Sequence, residues 1–222
     1  MKILEYGYYD VASNDIEVKE NVSRAAKLST DVISVLPQYV RIVKNILKNT
    51  DIILSTVIDY PFGISSIESR RVETENALKA GAKIIELVAP NHALCNKKYE
   101  KFRKDINEQR ALCDRYDAEL RYIIDYRTYT EYMLYKITTM VAAHQVDTVY
   151  PSNNYMLDNI VDNLIASMMI AKKVPYVNVI VNGNAWNEKQ INLILNTDKI
   201  YGYKTNNILT LENLSHNCAK SA

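Results

Sequence analysis

Polar residues gather where the apolar runs of this chain stop. Short apolar segments end on or beside Glu5 or Tyr6, Ser34, Asp59, Glu86, Asp125, Tyr150, Asn182 and Lys204, with Asn184 and Thr205 close behind. Carboxylates beside a phenol can move protons on and off a substrate, with Glu86 and Asp125 as acid and base and Tyr150 as proton donor. Lys204 would offer a point charge to a phosphate or carboxylate. Ser34, Asp59, Asn182, Asn184 and Thr205 would supply hydrogen bonds that orient a small molecule. Asp59, Glu86 and Asp125 could also gather around Mg2+. Neighbouring polar groups would satisfy them equally well, and His92, His144 and His216 share no metal-ligand spacing with Cys or acidic residues, so no metal is expected. No Walker, GxGxxG or GxSxG motif occurs, and no cofactor is expected.

These residues need a frame that brings them to one place. Eight strand candidates alternate with helices: Ile3–Tyr6, Val32–Leu36, Ile52–Ile58, Ile84–Val88, Leu120–Asp125, Thr148–Tyr150, Val177–Val181 and Lys199–Tyr203. Ser65-x-x-Glu68, Thr128-x-x-Glu131 and Asn187-x-x-Gln190 read as helix caps, Pro37 as a first helical residue, and Gly81 as a helix stop. Leu157, Ile160, Val161, Leu164, Ile165 and Met168 make the broadest apolar stripe. The charge-rich stretch from Lys97 to Arg121 reads as a solvated helix. Eight alternations in 222 residues predict an α/β chain folded as one (β/α)8 TIM barrel over 1–222, with an open doubly wound sheet as the alternative. In a barrel the strand ends named above would share one rim. That rim suits a small-molecule site, and it is also what any barrel needs where its interior meets water.

Composition narrows the function. Lys plus Arg number 27 and Asp plus Glu 26, so nothing suggests general attraction to nucleic acid or anionic lipid. No apolar run approaches the ~20 residues that cross a bilayer, and the N-terminus is too polar for a secretory signal. Cys95, Cys113 and Cys218 lack paired spacing, which favours a reducing, cytoplasmic setting. Tyr (17) far outnumbers Phe (2), and there are only 5 Gly where about 15 would be average. Few glycines argue against a loop-rich phosphate cradle. Tyr6, Tyr8 and Tyr9, and the cluster Tyr122, Tyr126, Tyr129, Tyr132 and Tyr135, suit a subunit contact in a homo-oligomer or larger assembly; the alternative is a general drift from Phe to Tyr.

The segment Thr56-Val57-Ile58-Asp59-Tyr60-Pro61-Phe62-Gly63, with Glu73, Ala77, Gly81-Ala82 and Ile84-Ile85-Glu86-Leu87-Val88, resembles the deoxyribose-phosphate aldolase family. Val32-Ile33-Ser34-Val35-Leu36-Pro37 is similar to that family's V-C-V-x-P. The resemblance implies a TIM barrel, a sugar-phosphate-like ligand, and carbon–carbon lyase chemistry through an imine. That chemistry takes a lysine at the end of the sixth strand, a second lysine on the seventh that lowers the first one's pKa, and an aspartate on the fourth. The sixth-strand V-K-T-S-T-G falls on Val149-Tyr150-Pro151-Ser152-Asn153-Asn154, so Tyr150 replaces the nucleophile. The seventh-strand lysine falls on Val179 or Ile180, and the aspartate on Glu86. Gly202-Tyr203-Lys204-Thr205 is similar to the phosphate-binding G-x-S-S turn, and the G-G-I-R loop is reduced to Asn182-Gly183-Asn184-Ala185. A phenol cannot form an imine, so no amine is expected at the centre of the cavity, with Lys204 following the eighth strand and reaching the rim. Three functions fit: a non-catalytic homologue that binds a ligand or serves assembly; a lyase or isomerase acting through Glu86, Asp125 and Tyr150; and a structural subunit of a larger complex.

Overall fold

The computed structural model describes residues 2–155 and 157–220, with side chains as far as 215 in the last helix; His216 and Cys218 therefore fall outside the described side chains. Strands and helices alternate throughout: β1 (Ile3–Tyr8), α1 (Asp15–Ala25), β2 (Val32–Val35), a 3-10 turn (Pro37–Tyr39) running into α2 (Val40–Ile46), β3 (Ile53–Ile58), α3 (Ile67–Ala80), β4 (Ile84–Val88), α4 (Asn91–Cys95), α5 (Tyr99–Arg115), β5 (Glu119–Ile123), α6 (Glu131–Ala142), β6 (Thr148–Tyr150), α7 (Ile160–Lys173), β7 (Asn178–Asn182), α8 (Glu188–Asn196), β8 (Ile200–Thr205) and α9 (Ile208–Lys220). Neighbouring strands are parallel, and β8 pairs back onto β1. The sheet is therefore a closed eight-stranded TIM barrel rather than an open sheet. Closure explains the near-continuous apolar runs of β2 and β4, every residue of which is buried. No helix among the described residues is long and apolar enough to cross a membrane.

Two helix caps sit later than expected. Ser66, not Ser65, caps α3 by accepting from the Ser69 amide at 3.1 Å. The Ser65 amide is already committed to the Asp59 carboxylate at 3.1 Å. Thr130, not Thr128, caps α6, because the Thr128 amide donates to the Asp125 carbonyl at 3.0 Å. In both places a strand-end aspartate claims the earlier residue. Asn187 caps α8 as expected, accepting from Gln190 at 3.0 Å. Gly81 ends α3 in the left-handed region at φ 115°.

Only two residues of the broad stripe, which begins just before α7 and runs along it, are used in the core. Ile160 and Leu164 are buried, whereas Leu157, Val161, Ile165 and Met168 stay exposed. The charged stretch after Lys97 is likewise not simply solvated. In α5, Asp105 and Gln109 are buried with Phe102, Ile106 and Leu112, and Arg121 lies inside β5. Of the later Tyr cluster only Tyr122 is buried, and Tyr126, Tyr129 and Tyr135 are half-buried. Tyr122 packs edge-on against Phe102 in the core, while Tyr132 remains exposed.

One buried guanidinium fastens three segments. Arg70 of α3 donates to Asp59 after β3 at 2.6 Å and to Asp105 of α5 at 3.0 Å, with all three side chains almost fully enclosed. Gln109 donates to the other Asp105 oxygen at 3.3 Å. The loop beyond Asp59 turns at Gly63 (φ 62°), whose amide donates to the Asp59 carbonyl at 2.9 Å. A Cβ there would come within 2.1 Å of the Ala89 carbonyl oxygen, so the loop lies against the end of β4 only because residue 63 has no side chain.

Arg70→Met leaves two carboxylates buried without their cation, and should lower the unfolding free energy by about 3–5 kcal/mol in urea titrations. Arg71→Met, next in sequence but solvent-facing, should leave the midpoint unchanged. Gly63→Ala should cost at least about 2 kcal/mol, from left-handed strain plus the backbone clash, in the same measurement.

Candidate functional site

Strand alternation aims Glu5, Ser55, Glu86, Arg121, Tyr150 and Lys204 at the barrel axis. They form one buried network. Arg121 Nη1 donates to Glu5 Oε1 at 2.6 Å and to the Tyr150 hydroxyl at 2.8 Å. That hydroxyl donates in turn to Glu5 Oε2 at 2.9 Å. Lys204 donates to Glu86 and stands 3.9 Å from Glu5. Ser55 Oγ donates to the other Glu86 oxygen at 2.6 Å. The remaining arms of Arg121 reach Glu119 at 2.7 Å each, towards the amino end of the barrel.

The network divides its two carboxyls. Burial raises Glu5, and the nearby Glu86 charge adds to this; Arg121 and Lys204 only partly oppose it. Burial works in the same direction on Glu86, but the charge and hydrogen bond of Lys204, helped by Ser55, hold it below the ordinary carboxylate range. Burial pushes the Tyr150 phenol well above its ordinary value, so it stays protonated. Its one proton points at Glu5 rather than at open space.

Aromatic rings roof the interior. Lys204 Nζ sits 4.8 Å from the Tyr150 ring centroid and 5.4 Å from that of Tyr9. Tyr9 packs on Tyr60 at 5.0 Å, Tyr60 on Tyr155 at 6.0 Å, and Tyr155 on Phe62 at 5.4 Å. Gly7 makes room for the first ring, since a Cβ there would meet Tyr9 Cε2 at 2.7 Å. Two clefts open beside this roof at the carboxyl ends of the strands. One, of about 810 Å3, lies between Phe62, Ile123, Arg127, Asn153 and Tyr155. The other, of about 520 Å3, is bordered by Asn154, Asn184, Trp186, Asn206 and Asn207.

The structure separates the residues expected to act together. Glu86 and Tyr150 meet in the interior, but Asp125 stays on the rim, clasped by Arg127 at 2.7 and 2.9 Å and by the Asn153 amide at 3.2 Å. The Glu86–Asp125–Tyr150 trio is thus split. Asp59 serves Arg70, so the three carboxylates do not converge on a cation site. Ser34 is buried on β2, beside Tyr9. Asn182 donates to the Ser152 carbonyl at 2.8 Å. Asn184 accepts from Thr205 at 2.9 Å, tying the loop after β7 to the end of β8. Lys204 lies within β8, not after it, and is fully buried, so it does not stand on the rim. An amine therefore does reach the centre of the barrel, contrary to expectation. It comes from the eighth strand, not from the sixth or seventh.

The seventh strand settles into a register with an irregularity between Val179 and Ile180. Ile180 pairs with Gly202, two residues before Lys204, and so shares its inward face. Neither Val179 nor Ile180 offers an amine. Glu5, left open with Tyr6 as a rim residue, and Arg121, where the expected solvated helix and the expected fifth strand overlap, prove central. A lone charge inside an apolar strand run, as in Ile3-Leu4-Glu5-Tyr6 and Leu120-Arg121-Tyr122-Ile123, was the available signal, because such a charge must find a partner.

No family model matches the chain. It is 24% identical over 154 residues to a deoxyribose-phosphate aldolase of Metamycoplasma hominis, an alignment covering 69% of this chain and 70% of that protein. A Ureaplasma parvum deoxyribose-phosphate aldolase is 33% identical over 89 residues, covering 40% of each; the chain thus spans less than half of that relative's length. Among solved structures, one described as QR15, an aldolase, superimposes with a TM-score of 0.84 at 15% identity, covering 97% of this chain and 96% of the other. A deoxyribose phosphate aldolase from Aeropyrum pernix gives 0.81 at 15% identity, covering 95% and 88%. The structural likenesses establish the barrel, and over about two thirds of its length the chain is similar in sequence to a deoxyribose-phosphate aldolase.

Proposed function

We propose that the chain is a non-catalytic homologue of that family, keeping the barrel for ligand binding or assembly while the imine chemistry of its centre is lost. The observation that carries this reading is the state of Lys204. It is the one buried lysine among the described residues, it is paired with an ionised Glu86, and rings lie over it. An ammonium held by a carboxylate is no nucleophile, and a carbonyl compound would have to displace the Tyr9–Tyr60 stack to reach it. The position of the family's nucleophile is spent on a phenol bound to Glu5 and Arg121. What remains accessible is the mouth, where a small sugar-phosphate-like ligand, a second copy of the chain or a larger assembly could dock.

A second reading draws on the division of Glu5 from Glu86. Two carboxyls driven apart in pKa are the raw material of acid–base catalysis. On that reading the chain is a lyase or isomerase of small sugar phosphates, and Glu86→Gln or Tyr150→Phe abolishes turnover.

Incubation with acetaldehyde or deoxyribose 5-phosphate followed by borohydride should leave the intact mass unchanged; a reduced adduct on Lys204 would overturn the proposal. Lys204→Met tests the network itself. In the native protein Glu86 contributes stability above the ordinary carboxylate range, lost as pH falls through its depressed pKa. Without Lys204, burial prevails and lifts Glu86 above that range, so the variant recovers stability as pH falls through the raised value. The penalty should be about 3–5 kcal/mol at pH 7 and clearly smaller at pH 5 by urea denaturation, whereas equal penalties would contradict the assignment.

A further inference from the structure

We propose that the larger mouth cleft is a binding site for an uncharged aromatic molecule, seated in the corner between Phe62 and Tyr155. This gives the binding role above a ligand class other than a sugar phosphate, and rests on that reading only in placing the ligand at the mouth instead of the centre. The cleft, about 810 Å3, falls within the ~300–1,000 Å3 typical of small-molecule sites and opens at the carboxyl ends of β3 to β6.

Its charged and carboxamide side chains are already committed to holding loops together. Arg127 spans Asp125, Asn153 Oδ1 at 3.0 Å and the Leu157 carbonyl at 3.3 Å. The Asn153 side-chain Nδ2 donates to the Pro61 carbonyl at 3.0 Å. Asn91 donates to the Phe62 carbonyl and accepts from Tyr129. Arg127 and Asp125 cancel one another's charge, so a phosphate dianion entering here would lose hydration without meeting an uncompensated cation.

The apolar lining, by contrast, is unspent. Phe62 and Tyr155 are each about half exposed (52% and 50%), and Leu157 is 91% exposed. The two rings meet edge-on, 5.4 Å apart at 77°. A third ring placed in that corner can lie flat on one and present its edge to the other, the two arrangements aromatic rings prefer. The same entry buries Leu157. Such a ligand gains from the surfaces the cleft presents and asks nothing of polar groups already engaged.

The test is a titration of the 15N-labelled full chain with indole and, separately, with inorganic phosphate, read by amide chemical shifts. Indole should give saturable shifts around residues 61–63, 123–127 and 153–157, and phosphate none there. Phe62→Ala should weaken indole roughly fivefold to tenfold, the loss of one ring partner. Leu157→Ala should weaken it less, and Tyr176→Ala, exposed just before the amino end of β7, not at all. Shifts that never saturate, indifference to Phe62→Ala, or saturable phosphate binding in the cleft would overturn the proposal. The borohydride experiment reads Lys204 at the barrel centre, so an adduct there with normal indole binding would remove the non-catalytic reading and leave this one standing.

Discussion

Two carboxylates and two cations share the desolvated axis of this barrel. Each ion surrenders several kcal/mol of hydration on entering such a place. At ~4 Å and an effective dielectric near 20, each opposite pair returns about 4 kcal/mol. The account closes only when every charge has a partner and the leftover lone pairs find donors. Ser55 and Tyr150 complete that set, one on Glu86 and one on Glu5. The interior is therefore specified as a unit. Lys204 determines the ionisation of Glu86, Arg121 fixes where the Tyr150 proton points, and both follow from which way single residues face along β5, β6 and β8.

The loops above obey the same economy at lower stakes. Asp59 and Asp125 follow β3 and β5, on either side of β4, and each turns back to hold its own loop, one through Arg70 and Ser65, the other through Arg127 and Asn153. Rigid loops let a few rings span the mouth. The result is a barrel whose centre is filled by paired charges and whose clefts lie to the side.

The barrel was legible because β/α alternation repeats eight times and each strand is apolar enough to be buried on both faces. Strand bounds agree with the periodicity to within two residues at most ends. Caps were harder, since Ser65 and Ser66 differ only in what Asp59 does with the first of them. Rim against interior was hardest of all. Lys204 was read as lying past the strand because β8 ends on Tyr-Lys-Thr, residues that pattern alone cannot assign to a wall or a loop. Parallel pairing with Glu5 extends β8 to Thr205 and turns Lys204 inward. Glu5 and Arg121 lie 116 positions apart in the chain, and no local signal joins them.

The phenol at position 150 also limits what the interior can become. Suppose a single mutation placed lysine there. The new ammonium would face Arg121 and lie near Lys204, leaving the dry interior with three positive charges against two negative ones. Such a side chain could persist only if Arg121 or Lys204 changed with it. A lysine at this position thus requires simultaneous change on two strands, and no single substitution reaches it.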